Sequence, residues 1–309
     1  MSESVLAATP DGSKQPERQI RRLIWQIAAA TLVLMAIGSA TRVFEAGLAC
    51  PDWPLCYGQL VPAEQMSWRV FLEWLHRADA AAIGISAIAL VGFCWRYRDR
   101  LPRWLPRTAA LALLLVVAQG ILGGLTVTEL LQADIVMAHL GMALLVFGLL
   151  IAMGTALTPY KGTAAAPKLP WMAGIAAVLV YLQSLLGGSI AARWAVSRCL
   201  GASELCGVMN GHLLGFIPAS VATLALVAVA RRTPGLHPLL RRLSALAGSL
   251  LVLQVLLGFA TFHLQLRAEP LTVTHQTVGA ALLGSLVALT VLAARDRAVA
   301  ARPLAAPSG

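Results

Sequence analysis

Four of the chain's six histidines keep a regular spacing. His76 and His139 lie 63 residues apart, as do His212 and His275, and the second pair follows the first at an offset of 136. Each falls four to six residues inside a long apolar run, the second, fourth, sixth and eighth along the chain. These runs enter a membrane from the same side. At about 1.5 Å of rise per residue, the four imidazoles then sit roughly 6–9 Å below its surface. Polar groups are costly in lipid and are usually retained there for function. Two imidazoles facing each other from two helices of a bundle suit an iron porphyrin ligated axially on both faces. Zinc or copper asks for a third or fourth ligand, and no cysteine or carboxylate recurs beside these histidines in both halves. One bis-histidine haem per half is the expectation. Taken singly, each imidazole could instead be a packed polar group bonded to a neighbouring helix. His237, in a basic loop, is expected to be solvated. His263, ending the seventh run, is expected to be interfacial.

The two halves differ beside their histidines. At the offset of 136, Glu73 becomes Met209, Arg77 becomes Leu213 and Asp79 becomes Gly215. Glu73 lies three residues before His76 and so shares its helix face. A carboxylate there could accept a proton or stabilise positive charge developing on a reacting carbon; it could also simply complement a helix start. Arg77 is expected to pair with a porphyrin propionate or with Glu73, and Asp79 is a candidate proton relay without an assigned partner. The asymmetry points to a reactive first half and a passive second half. Two cysteine pairs stand in corresponding loops, Cys50 with Cys56 and Cys199 with Cys206. In an oxidising compartment, local Cys50–Cys56 and Cys199–Cys206 bridges are expected among the three connectivities four cysteines allow. They could staple the loops or exchange with a partner thiol. Cys94 is expected to be an unpaired core thiol.

The elements that must position these groups are hydrophobic helices. Of 309 residues, 58% are hydrophobic and 12% charged, with a mean hydropathy of +0.75. A soluble domain carries about 25% charge, so a soluble enzyme, a disordered chain and a disulfide-dense miniprotein are excluded. Eight apolar runs are long enough to span a bilayer: 23–41, 70–94, 108–127, 135–157, 170–190, 208–230, 243–263 and 271–294. The first is longer than a signal-peptide core and lacks a convincing cleavage site, so it is read as a helix preceded by a disordered polar tail, 1–22. With the N-terminus inside, 18 of the 24 Lys and Arg fall on cytoplasmic segments and 5 on outer ones. That bias places both termini in the cytoplasm of a bacterial inner membrane. It also accounts for the net charge of +10 without nucleic acid. Gln119-x-x-x-Gly123 and Thr126 match Gln254-x-x-x-Gly258 and Thr261, and Gly38 to Arg42 loosely matches Gly188 to Arg193. The fold class expected is therefore an all-α polytopic membrane protein. Two repeated four-helix bundles, 23–158 and 170–294, would be related by a pseudo-two-fold along the membrane normal. A linker at 159–169 and a cytoplasmic tail at 295–309 complete the chain.

Gly38-Ser39-Ala40-Thr41-Arg42, then Gly47-Leu48-Ala49-Cys50-Pro51-Asp52-Trp53-Pro54-Leu55-Cys56-Tyr57-Gly58, resembles the first-loop signature of the haem A synthase family. Glu73-Trp74-Leu75-His76-Arg77 resembles its second-helix opening. The resemblance covers nearly the whole chain. It implies that haem O is oxidised at one ring methyl to the formyl group of haem A, for cytochrome oxidase. It implies a resident haem b at His212 and His275, and substrate haem O or product haem A at His76 and His139. It further implies an essential carboxylate at Glu73 and a functional pair at Cys50 and Cys56. The second-half loop keeps Cys199 and Cys206 but lacks the Pro-Asp-Trp-Pro core. The competing readings are a non-catalytic di-haem b cytochrome fed by quinol, and a membrane thiol oxidoreductase subunit whose haems serve the cysteines. The surroundings are membrane lipid. Haem O synthase as substrate donor, a periplasmic thiol or quinol as electron partner, and homo-oligomerisation stay open.

Overall fold

A backbone in lipid has no water to bond, and a helix satisfies its polar groups within one segment. Each apolar run is accordingly helical in the computed structural model, which describes residues 15–165, 167–193, 204–264 and 267–300. The helices are α1 (Gln15–Val43), α2 (Trp68–Arg96), α3 (Leu105–Thr128), α4 (Ala133–Ala156), α5 (Leu169–Arg193), α6 (Glu204–Arg232), α7 (Pro238–His263) and α8 (Glu269–Ala300). All eight are long and apolar enough to cross a membrane. The architecture is all-α; among the described residues the β structure is one isolated bridge, Cys56 with Gln59.

The outermost helices run past their apolar cores. Residues 15–22, expected in a disordered tail, form the first turns of α1. Ile20 and Ile24 are buried there, and the Arg21 guanidinium donates to the Leu157 carbonyl at 3.0 Å. At the other terminus α8 continues beyond 294 because its charges find partners. Arg295 donates to the carbonyls of Thr155 and Thr158 at 3.0 and 2.8 Å. The buried Asp296 accepts from the Tyr160 hydroxyl at 3.0 Å and the Thr163 N–H at 2.6 Å. Burial, reinforced by Asp296, pushes the Tyr160 phenol well above its usual range. His237 is not merely solvated. Its Nδ1 accepts the Leu239 N–H at 3.1 Å, capping α7, and its ring lies 4.5 Å from that of Tyr160.

α1 packs on α2 and α4, α2 on α3, and α3 on α4. Likewise α5 packs on α6 and α8, α6 on α7, and α7 on α8. α8 also touches α1 and α4, and α4 touches α5, so α4 and α8 carry much of the shared core. Small residues let the helices approach: a Cβ on Gly284 of α8 would stand 2.8 Å from the Phe147 ring of α4.

Residues 44–67 cover the end of the bundle opposite the termini. Ser67 caps α2 by accepting from the Val70 N–H at 3.3 Å. Phe44, Trp68, Phe71 and Trp74 form a run of ring contacts at 6.2–6.3 Å, of the kind that anchors a helix end at a membrane interface. The Trp53 ring lies over Gly124 of α3, where a Cβ would come within 3.1 Å of it.

Candidate functional site

The helices place the four histidines with a common geometry. His76, His139, His212 and His275 stand eight, six, eight and six residues after the starts of α2, α4, α6 and α8. They are two to four residues deeper than the apolar runs imply, because each helix begins earlier. Every ring lies on a glycine of the preceding helix. A Cβ on Gly38 of α1 would stand 2.8 Å from His76 Nε2, and one on Gly123 of α3 would stand 3.2 Å from His139 Cε1. A Cβ on Gly187 of α5 would stand 2.8 Å from His212 Cε1, and one on Gly258 of α7 would stand 3.1 Å from His275 Cε1. Contacts this short exclude any larger residue without displacement of the ring.

One turn before three of those glycines stands a glutamine that meets the same histidine. Gln119 Nε2 is 3.2 Å from His139 Nε2, and Gln254 Nε2 is 3.3 Å from His275 Nε2. Gln183 Nε2 is 2.9 Å from His212 Nδ1 and donates to the His212 carbonyl at 2.6 Å. The loose sequence match of α1 to α5 pairs Gly38 with Gly188 and so passes over Gln183. The structural counterpart of Gly38 is Gly187, and Gln183-x-x-x-Gly187 repeats the motif of α3 and α7.

The donor chemistry fits porphyrin iron. The second ring nitrogens of His139 and His275, both Nδ1, are buried without a hydrogen-bond partner, as are Gln119 Oε1 and Gln254 Oε1. Orphaned buried nitrogens need an account, and a bond to a haem iron would supply one. No group of three or more His, Cys, Asp or Glu able to hold a metal gathers among the described residues; the donors come as imidazole pairs. A largely apolar cavity of about 310 Å³ lies among α5, α6, α7 and α8, with Met35 of α1 and Leu140 and Leu144 of α4 also lining it, and holds His212, His275, Gln183, Gln254 and Gln276 in its wall.

Glu73 and Arg77 face the Cys50 loop. Glu73, 3% exposed, accepts the Cys50 N–H through Oε2 at 2.8 Å and pairs through Oε1 with Arg77 Nη2 at 2.5 Å. Glu73 is one of the two partners expected for Arg77, and the two side chains pair. Arg77 also donates to the carbonyls of Asp52 at 2.6 Å, Leu55, and Cys50 at 3.4 Å. Cys50 and Cys56 form the disulfide expected of them, with Cα atoms 4.8 Å apart. The Asp52 carboxylate accepts from the Gly58 N–H at 2.7 Å and the Tyr57 N–H at 2.6 Å, and these donors hold its carboxyl below the usual range. The loop is thus bound to the helix that carries His76.

The remaining candidates are quieter. Asp79 is half-buried with Oδ2 unpartnered, and His263 is exposed at the end of α7. Cys94 is a buried free thiol, as expected. The expected Cys199–Cys206 bridge lies outside the described residues.

Comparison with known proteins adds an independent line. Residues 21–287 match the family model described as cytochrome oxidase assembly protein. The chain is 30% identical over 188 residues to a Heme A synthase of Shewanella oneidensis, covering 55% of this chain and 56% of that protein. It is 30% identical over 211 residues to a Heme A synthase of Caulobacter vibrioides, covering 56% and 60%. A Heme A synthase of Erythrobacter litoralis is 26% identical over 329 residues, covering 85% and 94%. In the first two matches, this chain spans less than two thirds of the relative's length.

Proposed function

We propose, from the premise that the chain belongs to the cytochrome oxidase assembly protein family, that it acts as a haem A synthase. It would be a multi-pass membrane oxidoreductase that converts one ring methyl of haem O to a formyl group. The observation that carries this reading is the pairing of four histidines on four glycines in two similar sets, only one of which has a buried carboxylate three residues before its first histidine. That combination supports two porphyrin sites with one doing chemistry.

In this reading His76 and His139 hold the substrate haem O, and His212 and His275 hold a haem b. A haem b there would supply one-electron transfer. The packing of α1 to α4 and of α5 to α8, each set closed by contact of its first and last helix, supports two repeated four-helix halves about a pseudo-two-fold along the membrane normal. The clustering of basic residues at the end bearing the termini supports a bacterial inner-membrane orientation with both termini cytoplasmic.

The chemistry adds one oxygen atom and removes four electrons net, through two successive hydroxylations of the methyl carbon and loss of water from the resulting geminal diol, so an oxidant from outside the chain must supply that capacity. The chain's part is to fix the porphyrin, keep water scarce and manage charge. The glycines seat the imidazoles, and Gln119 orients His139 from behind, as partners of metal-bound histidines commonly do. Glu73 is a fixed negative charge at the rim of the first site, with Arg77 balancing it. Held there by two hydrogen bonds, it is preorganised to stabilise positive charge developing at the reacting carbon or to receive its proton. The Cys50–Cys56 loop sets the position of that carboxylate. Haem O synthase as donor of the substrate, and a quinol or periplasmic thiol as redox partner, fit this arrangement.

The similarity of the glycine settings in both sets favours one competing reading, a di-haem cytochrome that carries electrons only. Expression beside a haem O synthase, followed by analysis of the porphyrins extracted from the membrane, separates the two. Accumulation of haem A supports the synthase; haem O left unchanged in a haem-loaded protein supports the carrier.

A further inference from the structure

Three of the four histidines have a glutamine behind them, and the fourth does not. On α3, α5 and α7 the residue four before the cradling glycine is Gln119, Gln183 or Gln254, each within hydrogen-bond distance of its histidine. On α1 the residue four before Gly38 is Leu34, part-buried and packed against the core. Residues four apart share a helix face, so Leu34 presents hydrocarbon where the other helices present an amide. Among the described residues no side chain hydrogen-bonds to the His76 ring, although that ring lies as tightly on its glycine as any of the others.

We propose that Leu34 makes His76 the exchangeable ligand of the set, so that the porphyrin between His76 and His139 is released through the His76 side while the second pair retains its own. The inference rests on the haem reading of the histidine pairs. A side chain bonded to the ring from behind fixes a ligating imidazole's rotation, and losing such a partner typically costs about 10–100-fold in metal affinity. A ring without that bond keeps its steric seat but not the restraint on its rotation. An enzyme whose product is itself a porphyrin needs one such ligand. A permanently held haem needs none, and His212 and His275 both have glutamine partners.

The test is transfer of haem from the purified, haem-loaded full chain in detergent to excess apomyoglobin, followed by absorbance. Two phases are expected, a fast one from the first pair and a slow one from the second. Leu34→Gln should slow the fast phase by roughly 10-fold and leave the slow one alone. Gln183→Leu should accelerate the slow phase by a similar factor, which keeps the proposal testable if the first variant fails to fold. An unchanged fast phase in a folded, loaded Leu34→Gln protein overturns it, as does an unchanged slow phase in Gln183→Leu. His76→Ala and His139→Ala provide the separate control. If neither alters the fast phase, the histidine-pair reading itself is wrong. If both abolish that phase while Leu34→Gln does nothing, only the role of Leu34 falls.

Discussion

The Glu73 carboxylate accepts the backbone N–H of Cys50 at 2.8 Å, across 23 residues of sequence, while its other oxygen holds Arg77 at 2.5 Å. One side chain of α2 therefore fixes both the disulfide loop and the guanidinium that binds that loop's carbonyls. Glu73 has a structural role as well as the chemical one proposed for it, and substitutions can separate them.

Glu73→Ala leaves the buried Cys50 N–H without its acceptor and Arg77 with the loop carbonyls alone, the first loss costing about 1–3 kcal/mol. The loop should loosen, and Cys50–Cys56 should be reduced faster by a small phosphine. Haem A should disappear while the second-half haem stays. Glu73→Gln keeps an acceptor for Cys50 without the charge, so it should largely restore the reduction rate but not the product. Full activity in either variant would remove Glu73 from the mechanism.

Gly38→Ala and Gly187→Ala each drive a methyl to about 2.8 Å from an imidazole atom, so one ring must move. Overpacking of this sort costs about 1–3 kcal/mol. Each variant should lose the low-spin bis-histidine signal of one half and keep the other, as read by electron paramagnetic resonance. Two intact signals in either variant would show that the glycine seats do not position ligands.

Asp52 should give the loop a pH dependence in the acid range. Its carboxyl is held below the usual value by the Gly58 and Tyr57 N–H donors. A lowered acid contributes stability that is fully present above the unfolded value, about 3.9, and is lost as pH falls through the depressed one. Phosphine reduction of Cys50–Cys56 should therefore stay slow down to about pH 4 and quicken below it. Asp52→Asn should reduce faster than the parent at neutral pH and lose the acid step. Parallel profiles for the two proteins would exclude Asp52 as the loop's acid-sensitive group.

At the opposite end, Asp296 accepts from Tyr160 and Thr163 and so ties α8 to the segment after α4. Asp296→Ala should destabilise the protein by on the order of 3 kcal/mol, since hydrogen bonds to a charged group are worth about 1.5–3 each. Thermal unfolding in detergent should reveal this, with haem content at low temperature unchanged. An unaltered midpoint would mean that α8 is held by its apolar packing alone.

Much of this molecule could be read from its residues, for physical reasons that differ by feature. The eight spans were legible because lipid demands continuous hydrophobicity, and the histidines because a regular spacing between costly intramembrane groups is hard to explain otherwise. The helix extensions at 15–22 and beyond 294 were not, since polar residues there gain helix through distant partners such as Leu157 and Tyr160. The same holds for His237, whose cap and ring contact depend on tertiary placement. Gln183 was legible in principle from its spacing to Gly187 but was hidden by a one-residue misalignment of α5. The partners of Arg77 could not be foreseen in full, because three of them are loop carbonyls that carry no sequence signal.

The central claim is that the first histidine pair presents a porphyrin for oxidation and does not merely carry electrons. The most direct measurement is the chemical identity of the porphyrin extracted from purified protein made in cells that supply haem O, beside the His76→Ala variant made identically. The account predicts haem A in the parent, none in the variant, and haem b in both. Haem O carried through unchanged by an intact, haem-loaded parent would contradict it.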